Sequence, residues 1–197
     1  MSAPTQLQVV IGSLFYPAFL GNMSYVAAEK LFKTPGFFDL TTSLIVLALI
    51  FHYVMDWTYT IVLKKEQPYT PLKFLADSVI VVCLYVAMRL ALAEEGVLFK
   101  EGWSWLSQPV FWLLITKFSA VVWELAEVTT LNPKKWTCLK KLEVGVDLGF
   151  VFLYLALGLE ILGAYSLTIY FALAVLCDAS FYAFHKMIQH KCSTSTA

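Results

Sequence analysis

The chain has 197 residues, 59% of them hydrophobic and 14% charged, with a formal net charge of zero and a mean hydropathy of +0.72. Soluble domains carry roughly 45–50% apolar and about 25% charged residues, so a water-facing globule is excluded and lipid is the expected solvent. Balanced charge, with nothing basic beyond short lysine pairs, argues against nucleic acid as a partner.

A membrane-crossing helix needs roughly 20 mostly apolar residues, and six segments qualify. The first, about 8–28, has no Lys or Arg ahead of it, whereas a secretory signal has a positive n-region, so it reads as a retained span. Pro17, Gly21 and Asn22 interrupt it, and it is expected to be kinked or re-entrant. The second, about 38–63, contains His52 and Asp56. The third, about 74–93, carries Asp77 near its start. The fourth, about 105–129, holds Lys117, Glu124 and Glu127. The fifth, about 144–163, holds Asp147 and Tyr154, and the sixth, about 166–187, holds Asp178 and His185. The expected fold is all-α: one polytopic bundle of six transmembrane spans over residues 1–188, followed by a polar tail, 189–197, expected to be disordered.

Loop lysines orient the spans. If all six segments cross, Lys64, Lys65, Lys73, Lys134, Lys135, Lys140, Lys141, Lys186 and Lys191 fall on one side, and Lys30, Lys33 and Lys100 on the other. The bias puts both termini in the cytoplasm. Cys83, Cys138, Cys177 and Cys192 form no CxxC pair or zinc spacing and read as small hydrophobes.

The ionisable residues inside the spans carry the chemistry. Each costs roughly 2.5–3.5 kcal/mol at a helix centre on insertion scales. Measured from the lysines at the inner ends, Asp56, Asp77, Glu124, Glu127, Asp147 and Asp178 all lie in the inner half of their spans. Helical spacing puts His52 with Asp56, Lys117 with Glu124, Asp178 with His185, and Asp147 with Tyr154 on shared faces. If these stripes meet, His52, Asp56, Lys117, Glu124, Glu127, Asp178 and His185 line a polar chamber open to the cytoplasm, with Asp77, Asp147 and Tyr154 as secondary members. Asp77 and Asp147 also fit a plainer reading, as acids near helix ends that reach headgroups or backbone N–H groups. Glu127 fits one as a side chain snorkelling to the inner interface.

Such a chamber suits a channel or transporter for a proton or cation. The alternatives are a non-catalytic subunit of a larger membrane complex, or an intramembrane enzyme acting on a lipid or isoprenoid through buried carboxylates. No rhomboid-type serine motif, CDP-alcohol or UbiA-type aspartate motif, or potassium-channel filter is present, and an enzymatic role ranks last. The sequence assigns no cofactor or metal. The expected partners are the bilayer, a cation or proton, and another copy or membrane subunit. The topology predicts that a cysteine placed at Gly102, in the third loop, reacts with an impermeant thiol reagent from the outer side. Labelling from the cytoplasmic side alone contradicts it.

Overall fold

The computed structural model describes residues 6–33, 40–58, 69–93, 105–130, 138–159 and 167–194, with side chains described over 6–30, 42–58, 69–93, 106–126, 143–159 and 169–184. Every regular element among them is helical. Gln6–Val10, Ile11–Phe15 and Tyr16–Lys33 run on without a break and together form α1; α2 is Leu40–Thr58, α3 Pro71–Ala91, α4 Pro109–Thr130, α5 Cys138–Gly158 and α6 Leu167–Thr194, with a 3-10 turn at Trp105–Ser107. Three helical stretches, Gln6–Lys30, Pro71–Ala91 and Pro109–Ala126, are long and apolar enough to cross a membrane; Thr42–Thr58 and Ile169–Phe184 are shorter apolar helices.

The boundaries differ from the hydropathy reading where backbone bonding outlasts the apolar run. The α5 helix begins at Cys138, ahead of the predicted 144, taking Lys140 and Lys141 into its first turn. Its lysines lie outside the apolar window, but backbone hydrogen bonding does not depend on side-chain polarity. The same holds for α6, whose backbone is helical to Thr194. Residues 59–63 of the predicted second span lie outside the described residues.

Pro17 does not break α1. A proline inside a helix removes an N–H and its ring crowds the carbonyl of the preceding turn. Here the turn before it widens into a π-helix at Ile11–Phe15, and the Tyr16 N–H reaches back to the Ile11 carbonyl. The Gly12 carbonyl then loses both of its helical donors, since Tyr16 is engaged elsewhere and Pro17 has no N–H. The Trp57 indole N–H of α2 donates to it at 2.9 Å. One turn along, the Tyr53 hydroxyl donates to the Tyr16 carbonyl at 3.1 Å, and the two tyrosine rings meet edge-on at 5.3 Å. The predicted interruption is therefore the docking surface of α2.

The order of contacts fixes helix directions. Gly12 meets Trp57 and Tyr16 meets Tyr53, so α1 and α2 run antiparallel. Phe15 meets Phe74 and Asn22 meets Tyr85, so α1 and α3 run parallel. Proline and a cap start α3: Thr70, in extended backbone, accepts from the Lys73 N–H at 3.3 Å, and Pro71 needs no donor at the first helical position. Hydroxyls along the helices fold back on their own carbonyls, Thr58 on Val54, Ser78 on Phe74 and Thr116 on Trp112, which hides them from an apolar surrounding.

Polarity is arranged inside out relative to a water-soluble bundle. Leu14, Leu47, Leu75, Phe118, Phe152 and Phe184, one from each helix, face outward. Asp56, Lys117 and Asp178 are 7%, 3% and 3% exposed. Such a distribution suits an apolar surrounding.

The α1–α2 junction yields a stability prediction. Trp57→Phe leaves the Gly12 carbonyl without its donor and destabilises the protein by about 1–3 kcal/mol in detergent unfolding. In a Pro17→Ala background the loss is smaller, because residue 17 regains an N–H. Equal losses in both backgrounds contradict the assignment.

Candidate functional site

Two carboxyl centres occupy the middle of the bundle, joined by one tyrosine. Asp56 of α2 is the first. One of its oxygens accepts from the Tyr16 hydroxyl of α1 and the other from the Tyr182 hydroxyl of α6. His52, one turn away on α2 and buried, stacks on the Tyr182 ring at 4.8 Å with the planes 24° apart. His52 and Asp56, aligned by their i,i+4 spacing, thus both meet Tyr182.

The second centre is Lys117 of α4. Its ammonium forms an ion pair with Asp178 Oδ1 of α6 and another with Asp147 Oδ1 of α5 at 3.2 Å. The Tyr154 hydroxyl of α5 donates to the other Asp178 oxygen at 3.0 Å. Aromatic faces complete the enclosure: Lys117 Nζ lies 5.3 Å from the Phe150 ring centre and 5.8 Å from that of Tyr182. Tyr182 lies one turn beyond Asp178 on α6, so the same ring borders the ammonium, stacks on the imidazole and bonds to Asp56.

A further polar group lies toward the helix ends at which α3 and α5 begin and α4 stops. Lys73, Asp77, Glu124 and Glu143 are all buried there. The Lys73 ammonium sits over the Trp123 ring, 4.6 Å from its centre. The Tyr69 hydroxyl donates to Asp77. Burial, and after it the Asp77 carboxylate, push the Tyr69 phenol far above its usual range, so it remains a donor at any physiological pH; Asp56 adds to the shift, which places that carboxyl within electrostatic reach.

Of the residues expected to share a site, Lys117, Asp178, Asp147 and Tyr154 meet directly, and Asp56 is joined to them through Tyr182, whose hydroxyl binds Asp56 and whose ring borders the Lys117 ammonium. Glu124 and Asp77 are buried in the outlying group. Glu127 and His185 lie on helices, but their side chains fall outside the described residues. Two readings change. Asp147 is no helix cap: α5 starts nine residues before it, and its carboxyl belongs to the central ion pair. Lys117 shares a face with Glu124 by spacing, yet the acids that bind its ammonium are Asp147 and Asp178.

The sequence reading overlooked Tyr16, Tyr69 and Tyr182. For Tyr16 and Tyr182 the signal was present, since a phenol inside an apolar helix must find a hydrogen-bond partner; Tyr69 precedes its helix and carried no such signal. Tyrosine is common enough in membrane helices that its presence alone does not select these two.

No protein-family model, curated protein or solved structure matches the chain.

Proposed function

We propose that the chain crosses the membrane six times with both termini in the cytoplasm, and that it is a transporter or channel carrying protons through the buried centre that Asp56, Tyr182, Lys117 and Asp178 form. The antiparallel run of α1 and α2, the parallel run of α1 and α3, and the loop lysine bias favour this topology. The 19 residues of α2 extend about 28 Å, close to the roughly 30 Å of a hydrocarbon core.

The observation that carries the functional reading is the Asp56 carboxyl. It is buried, and its two oxygens accept from the hydroxyls of Tyr16 and Tyr182, neutral donors that each carry a transferable proton. A buried carboxyl bound by O–H donors from two other helices suits proton exchange.

The donor set favours a proton over a metal ion. Each Asp56 oxygen faces a phenolic O–H, and chains of O–H donors and carboxyl acceptors relay protons. Among the described residues, no three His, Cys, Asp or Glu side chains converge as metal ligands. His52, stacked on Tyr182, adds the side chain that ordinarily titrates nearest neutrality.

Proton flux into liposomes, read by an internal pH dye under a clamped potential, tests this reading. Asp56→Asn keeps size and most hydrogen bonding but removes the acid, and flux is expected to fall by about tenfold or more. Asp77→Asn, in the outlying group, is expected to matter less. Unchanged flux in a folded Asp56→Asn protein contradicts the proposal and favours a subunit role.

A further inference from the structure

Lys117 occupies an unusual position for a lysine in an apolar bundle. Its side chain is 4% exposed, its ammonium bridges carboxyls from two other helices, and those side chains are 4% exposed for Asp178 and 13% for Asp147. The Tyr154 hydroxyl binds the second Asp178 oxygen, which fixes the direction in which the first one points. Phe150 and Tyr182 border the ammonium with ring faces, surfaces that attract a cation without coordinating it through a lone pair.

An ammonium between two carboxylates is a tethered monovalent cation. Its charge equals that of sodium or potassium, and the carboxyl oxygens around it are hard-cation ligands. Resting on the proton-transport reading, we infer that Lys117 is the selectivity element of the centre: its ammonium fills a monovalent-cation site built by Asp147 and Asp178, keeping alkali-metal ions out while protons move along the hydroxyl–carboxyl chain. The site is complete apart from the tether. Removing Nζ and keeping the stem leaves one buried and one partly buried carboxylate around a gap of one cation.

Lys117→Met does this, since methionine retains an unbranched apolar stem and ends before the ammonium. The experiment compares thermal unfolding of the purified protein in potassium, sodium and choline chloride at equal ionic strength; choline is too large for the gap. Lys117→Met is expected to unfold at least about 3 °C higher in potassium or sodium than in choline. The unaltered protein is expected to shift by less than about 1 °C, and Lys117→Met with Asp178→Asn is expected to lose the difference. An identical midpoint for Lys117→Met in all three salts overturns the inference, as does an equal shift in the unaltered protein. Should Lys117→Met fail to fold, Lys117→Met with Asp147→Asn lowers the buried negative charge and keeps Asp178; a smaller alkali-specific shift is expected, and its absence is equally decisive. Transport does not enter this measurement. A missing salt effect beside a flux loss in Asp56→Asn leaves the proton reading intact, and a clear salt effect beside unchanged flux removes only that reading.

Discussion

The cost of an unpaired charge in an apolar interior organises this molecule. Each helix that brings an ionisable group into the apolar zone must turn it inward and meet a donor or counter-ion there. The groups that meet come from different helices: Lys117 from α4, Asp147 from α5, Asp178 from α6 and Asp56 from α2, with Tyr16 closing the set from α1. In an apolar surrounding, hydrophobic burial cannot choose among rotations of apolar helices. The polar contacts can, and each one restricts rotation and depth together. The outward leucines and phenylalanines then follow from the inward acids.

A second constraint acts at the backbone. Pro17 removes a donor and the π turn diverts another, so α1 presents a bare carbonyl at Gly12 that Trp57 supplies. This bond sits one residue from Asp56, whose carboxyl accepts from Tyr16 on the same two helices. The irregular stretch of α1 and the Asp56 centre are therefore one piece of structure. A flaw in helix regularity places a tyrosine hydroxyl against a buried acid.

Much of this was legible in the sequence. The helical content followed from apolar length, and Asp56, Glu124 and Asp178, singled out inside the apolar runs, are buried. Their burial agrees with the cost of exposing acids to lipid. Pairing was harder to read. Periodicity places residues on a face of their own helix and says nothing about which helix that face meets, so Lys117 was aligned with Glu124 and found with Asp147 and Asp178. Asp147 was underrated because hydropathy starts its helix too late. Tyr182 could not be singled out, since its importance arises from bordering an imidazole, an ammonium and a carboxyl contributed by two other helices.

The proposed proton exchange at buried carboxyls is open to infrared spectroscopy, without requiring transport. Protein in lipid vesicles is stepped from acid to alkaline buffer and the carboxylic-acid C=O region is recorded. The account predicts a band lost on the alkaline step, shifted in heavy water and absent from Asp56→Asn. A spectrum with no carboxylic-acid change across the step, or one that Asp56→Asn leaves untouched, contradicts it.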